Sequence, residues 1–177
     1  MKIKVSLALF VFLICPMPMT AVGAGDDNRL VHEGTVAAPL DQVWAAFTTK
    51  DGLESWMVAH AEIELKIDGK MRTHYDRKGK IGDAKTIENT ILCYDPRHMF
   101  VLKVSKAPEG FPFPNAVQNM WTVIYFDAES PESTRVRVVG LGFGSDEESR
   151  KMRAFFDQGN ALTLHRLQRR FASEKQK

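Results

Sequence analysis

The chain has 177 residues, with 24 Lys and Arg against 22 Asp and Glu, a formal net charge of +2 and 44% hydrophobic residues. This near-neutral balance argues against a nucleic-acid binder, which relies on a strongly basic face, and against strong attraction to anionic lipid. Apolar content of this order over this length supports one core and one domain.

Lys2 and Lys4 precede an apolar run from Val5 to Ile14, followed by Pro16 and Pro18 and then by Ala21, Val22, Gly23 and Ala24. That is the three-part layout of a secretory signal peptide. The run falls short of the ~20 apolar residues that span a bilayer, so no stable membrane insertion is expected after cleavage. Small residues at Val22 and Ala24 place the cut after Ala24, giving a signal peptide over 1–24 and a single domain over 25–177. The expected destination is secretion into the periplasm of a Gram-negative bacterium. Loss of Lys2 and Lys4 leaves 22 basic residues against 22 acidic ones, a formal net charge of zero. Cys15 lies between Ile14 and Pro16, without the small neighbour a lipidated cysteine takes, so lipidation is not expected. Cys93 is then the one cysteine of the mature chain, which rules out an intrachain disulfide. In its apolar setting, Thr90-Ile-Leu-Cys-Tyr94, it reads as a small buried hydrophobe.

Arg29 to Val36 alternates as a first strand. Pro39 opens a helix with Leu40, Val43, Trp44 and Phe47 at helical spacing. A second, short helix over 51–57 shares one face among Leu53, Trp56 and Met57. Ala61, Ile63, Leu65 and Ile67 then alternate with charged residues as a strand, and Asp68-Gly69 is a hairpin turn signal. Met71, Thr73 and Tyr75 alternate with Arg72, His74 and Asp76, ahead of a Gly-rich basic turn from Arg77 to Gly82. Four more strands follow: Thr86 to Tyr94, His98 to Ser105, Met120 to Phe126 and Thr134 to Phe143. Ser145 is expected to cap a final long helix whose stripe comprises Met152, Phe155, Phe156, Gly159, Leu162, Thr163 and Leu167. Arg166, Arg169 and Arg170 crowd its last turns, where cations suit the helix dipole. The predicted class is α+β: a curved antiparallel sheet of about seven strands around a long C-terminal helix, with two short helices after strand one. A helix that follows such a sheet buries its stripe against it, and a curled sheet leaves a cavity between them.

This order resembles the helix-grip fold of the SRPBCC superfamily, also called START-like or Bet v-like. Val36-Ala-Ala-Pro39 followed by Asp41-Gln-Val-Trp-Ala-Ala-Phe47 is similar to the superfamily's entry of strand, proline and helix. Asp51-Gly-Leu-Glu-Ser-Trp56 and Tyr94-Asp-Pro-Arg-His98 resemble the short helix and the strand turn of one branch. That branch is named after the activator of the heat-shock-protein ATPase and includes single-domain, polyketide cyclase-like bacterial members. The chain departs from it at Asp68-Gly69, where paired glycines are usual, and at Gly159-Asn160, where Gly-Trp is usual. Nor does Asp68-Gly-Lys70 reproduce the glycine-rich loop of plant relatives. A secretory signal, and a co-chaperone function that in the eukaryotic activator needs a second domain, argue against a chaperone role.

The resemblance implies an apolar or amphipathic small molecule as partner, bound in the sheet–helix cavity. The candidate lining is Trp56 and Met57 on the short helix, and Tyr75, Phe100 and Trp121 on strands. The last helix adds Phe155, Phe156, Gly159 and Thr163. Phe111 and Phe113, in the proline-punctuated segment Glu109 to Asn115, are candidates for a lid. An alternative is an enzyme of the polyketide cyclase/aromatase type with His74, Asp76 or Tyr75 moving the proton. Against it, His74 and Asp76 share their strand face with Arg72, as on a solvated outer surface. A further alternative is a periplasmic interaction module whose core is filled by its own side chains. His32-Glu33 and His60-Ala-Glu62 lack further ligands, so no metal site is expected. No phosphate loop, dinucleotide fingerprint or Gly-x-Ser-x-Gly occurs, and no cofactor is expected.

Overall fold

In the computed structural model, which describes residues 28–172, one seven-stranded sheet curls around a 26-residue helix. The predicted signal peptide lies outside the described residues. Strands β1 (Leu30–Val36), β2 (His60–Ile63), β3 (Lys70–His74), β4 (Ile87–Asp95), β5 (Met99–Lys106), β6 (Trp121–Ser130) and β7 (Ser133–Leu141) are all antiparallel. Their order is β1-β7-β6-β5-β4-β3-β2, so the first two strands of the chain form opposite edges. Helices α1 (Leu40–Thr48) and α2 (Lys50–Glu54) make that crossing, and α3 (Glu147–Ala172) packs back beside β1. Among the described residues no helix is long and apolar enough to cross a membrane.

The α1–α2 corner follows from two residues. Thr49 ends α1 by donating its hydroxyl to Ala45 O (2.8 Å) and caps α2 by accepting from Gly52 N (3.0 Å). Gly52 lets the helices meet, because a Cβ there would sit 2.0 Å from Ala45 O. The corner drives Val43, Phe47 and Leu53 into the core. There Phe126 meets Trp44 (5.3 Å between ring centroids) and Phe47 (5.2 Å) edge-on and stacks on Phe100 (6.1 Å).

Several sequence expectations are corrected. The β2 ladder stops at Ile63, and the chain then coils so that Asp68 and Gly69 bond to Ile91 of β4; Ile67 is left exposed. Asp68 takes a left-handed φ of 61°, which aspartate tolerates. A register shift between Ile91 and Cys93 breaks the alternation of β4 and turns both Leu92 and Cys93 outward, so Cys93 is exposed rather than buried. Helix α3 is capped by Asp146, whose carboxylate accepts from Ser149 N (2.9 Å), not by Ser145. Leu162 and Phe155 leave the buried stripe for the surface, and Leu164 and Phe171 join it.

On the convex face, Glu88 of β4 accepts from Arg72 (2.9 Å) and pairs with Lys70 (3.2 Å). The Arg72 bond first and the Lys70 bond second hold its carboxyl at about 2, against an ordinary 4.5. A carboxyl depressed in the folded state adds stability that is complete above its unfolded value and is lost as pH falls to the folded one. The melting temperature is therefore expected to drop between about pH 4.5 and 2, and Glu88→Gln should flatten that limb in a pH series of thermal melts. An unchanged acid limb in the variant would contradict this role.

Candidate functional site

The sheet and α3 enclose a cavity in two adjoining compartments of about 170 and 430 Å³. Both are walled by Met57, Met71, Tyr75, Thr122, Asn160 and Thr163. The smaller runs under α1 and α2 toward Trp56, Phe100 and Leu102. The larger runs toward Asn89, Val104, Phe111, Phe155, Phe156 and Gly159. The period of two puts Met71, Thr73 and Tyr75 of the β3 segment on the concave side. Helical spacing brings Phe156, Gly159, Asn160 and Thr163 of α3 to face them.

Most of the wall is apolar, but six polar side chains interrupt it: Thr73, Tyr75, Asn89, Thr122, Asn160 and Thr163. The first five have no hydrogen-bond partner among the described residues. Trp56, by contrast, donates Nε1–H to Ala46 O (3.0 Å), so it acts as wall rather than as a polar contact. Thr163 donates to Gly159 O one turn back (2.8 Å). Tyr75 is 58% exposed, yet its ring looks into the concavity, where the surrounding walls displace bulk water. That desolvation pushes its phenol above the ordinary 10, with the Arg166 charge opposing, so it stays a neutral donor and acceptor at neutral pH.

Gly159 stands over the larger compartment with nothing within 4 Å of where its Cβ would be. The wall opposite α3's first turns is aromatic. Phe111 packs edge-on to Phe113 (5.7 Å) and Phe155 (6.0 Å), and Phe155 packs on Phe156 (5.4 Å). Behind them a one-turn 3-10 helix (Ala116–Asn119) is pinned by Glu148 of α3, which accepts from Asn115 N (2.9 Å), Ala116 N (3.1 Å) and Asn115 Nδ2 (3.2 Å). The Ala116 amide bond, with the Asn115 bonds behind it, holds the Glu148 carboxyl below the usual carboxylate range. Glu148→Ala is expected to raise hydrogen exchange at the Asn115 and Ala116 amides on the order of tenfold, since each N–H loses its acceptor. Unaltered exchange at both would show that the segment is held elsewhere.

Of the residues singled out from sequence, Trp56, Met57, Tyr75, Phe100, Phe155, Phe156, Gly159 and Thr163 line the cavity, as does Phe111. Phe113 stands one step outside, against Phe111 and Phe155. Trp121 does not line it. It lies on the convex face with Val123 and Tyr125, 38% exposed, because β6 is apolar on both parities and the inward set is Thr122, Ile124 and Phe126.

The acid–base candidates are also corrected. His74 is neither solvated nor in the cavity. It is 2% exposed on the convex side of β3, under the loop from Arg77 to Gly82. A Cβ on Gly79 would lie 2.0 Å from its ring, so only glycine lets the loop close. Its Nδ1 accepts from Asp76 N (3.1 Å) and its Nε2 donates to Asp83 Oδ1 (3.0 Å), which makes it a structural clasp. The Asp76 carboxylate accepts from Lys78 N in the same turn (2.9 Å). The sequence offers no candidate at Asn89 or Thr122, whose only signal is positional: each is a polar residue at an inward position of an otherwise apolar series. Asn160 stands out in the sequence only as the residue where the branch usually has Trp, and it lines both compartments.

A curled antiparallel sheet gripping a long C-terminal helix over a cavity defines a START-like, helix-grip domain of the SRPBCC superfamily. Residues 37–172 match the family model described as Activator of Hsp90 ATPase homolog 1-like protein, and the chain belongs to that family. No curated protein matches it. Among solved structures, protein MLL2253 from Mesorhizobium loti superposes with a TM-score of 0.64 at 15% identity, over 82% of this chain and 97% of that one. Protein NE0264 from Nitrosomonas europaea gives 0.62 at 18% identity, over 86% and 99%. CalU16 from Micromonospora echinospora gives 0.59 at 16% identity, over 84% and 78%. At these identities the likeness is one of fold.

Proposed function

We propose that this START-like domain is exported and binds a hydrophobic or amphipathic small molecule between the sheet and α3. The observation that carries the reading is the cavity itself. Its larger compartment, about 430 Å³, falls in the ~300–1,000 Å³ range of small-molecule sites. It has an apolar wall with five polar groups that lack partners inside the protein, and such groups are satisfied by a ligand or by water. A core filled by its own side chains, as an interaction module would have, leaves no such space. The cyclase reading has less support. Tyr75 is the one titratable side chain among the lining residues, and its raised phenol makes it a weak acid. His74 and Asp76 lie across the sheet from the cavity.

The test is a titration of 15N-labelled protein with the neutral amphiphile decanol. The amides of Met57, Tyr75, Asn89, Thr122 and Gly159 are expected to shift first and to saturate together. Shifts confined to Val101, Val123 and Val139 on the convex face would overturn the reading. Export has its own check. The N-terminal residue of protein recovered from the periplasm is expected to be Gly25, and recovery with Met1 from the cytoplasm would overturn it.

A further inference from the structure

The back half of α3 carries an excess of cations. After Asp157, which pairs with His32 (3.0 Å), the helix contains His165, Arg166, Arg169 and Arg170 and no further acid. Arg169 and Arg170 lie in the last turn, where the helix dipole accounts for them. Arg166 lies further back, where that effect has faded. It follows Thr163 by three residues and Gly159 by seven, so it continues the face that lines the cavity. It is exposed and makes no ion pair or hydrogen bond among the described residues. Its charge reaches Tyr75, where it opposes the rise of the phenol. Tyr75 walls both compartments, and its hydroxyl is likewise unpartnered. Arg166 thus continues the lining face of α3 one step past the cavity wall, and Tyr75 brings a hydroxyl, unpartnered among the described residues, from the wall itself.

We propose that the cavity's ligand is an amphiphile with a singly acidic head, held at the rim between the Arg166 guanidinium and the Tyr75 hydroxyl, with its apolar part along Met57, Met71 and Leu102. The guanidinium gives charge-assisted hydrogen bonds to an acid oxygen, and the phenol donates one more. A cationic head is repelled there, and a neutral one gains only the phenol. This deepens the cavity reading and rests on it. A carboxylate and a sulfate ester share the required chemistry.

The test is calorimetric binding of four ten-carbon probes at low salt: decanoate, decyl sulfate, decanol and decyltrimethylammonium. At least one anion is expected to bind roughly tenfold or more tightly than decanol, with the cation weakest. Which anion leads identifies the head. In Arg166→Gln the ratio of anion to alcohol affinity should collapse toward one, and Arg166→Lys should recover part of it. The control Arg137→Gln, a cation over the Tyr125 ring on the convex face, should keep the ratio. Equal affinity for anion and alcohol in the unaltered protein overturns the head assignment and leaves the cavity reading intact. So does a ratio that survives Arg166→Gln. Failure of all four probes to bind overturns both.

Discussion

Gly159→Trp is expected to lower affinity for any cavity ligand by at least ~100-fold, about 2.7 kcal/mol, while leaving the domain as stable as before. A Cβ at this position meets nothing within 4 Å, and beyond it lies the compartment of about 430 Å³. An indole there occupies the ligand's space instead of displacing protein atoms. The backbone gains as well, because glycine inside a helix costs roughly 0.5 kcal/mol more than tryptophan. Displacement of the neutral dye Nile red, read with a thermal melt of the same sample, measures both effects. Lost binding with an unchanged or slightly raised melting temperature is the expected result. A fall of more than about 5 °C would mean that the space is not open, because overpacking a filled core costs about 1–3 kcal/mol.

Phe126→Ala should do the reverse. Phe126 is 2% exposed and touches Trp44, Phe47 and Phe100, yet it is not among the residues lining either compartment. Truncating such a ring removes its transfer energy and leaves a void, for a loss of about 3–5 kcal/mol. At this chain length that is a drop in melting temperature on the order of 10 °C. Below the new transition, affinity for Nile red is expected to stay within about threefold of the parent, since the cavity wall keeps its residues. A loss under ~1 kcal/mol, from denaturant unfolding, would contradict the assignment of this aromatic cluster as the centre of the core. Together the two variants separate binding from stability, as a preformed cavity beside a packed core requires.

The fold was readable because its elements carry strong periodic signals. Val43 and Phe47 sit four apart in α1, Met71 and Thr73 alternate in β3, and the stripe from Met152 to Leu167 runs nearly the length of α3. The site was harder for three physical reasons. β6 has apolar residues on both faces, so alternation identifies the strand but not its inward parity, and Trp121 fell on the wrong side. β4 contains a register shift that no local composition marks, which exposed Cys93. Burial of His74 depends on a loop folded over it through Gly79, a contact formed by tertiary closure rather than by strand pattern. The polar lining escaped for a related reason. Asn89 and Thr122 look like surface residues until the sheet's curl turns them inward, and Asn160 faces them from α3.

Phe111 illustrates the middle ground. Its segment, dense in proline and aromatic residues, marked it as special, and it walls the cavity against Phe155 and Phe156. The anchoring of that segment by Glu148, through two backbone amides, had no signal in the sequence beyond an acid in the first turn of α3.

The most direct measurement of the central claim is a native mass spectrum of the protein purified from cells without added ligand. The account expects a reproducible adduct of a few hundred daltons, the size a cavity of this volume holds. It should be released on denaturation and be absent from Gly159→Trp. A bare protein mass in every preparation, unchanged after incubation with a lipid extract, would contradict it.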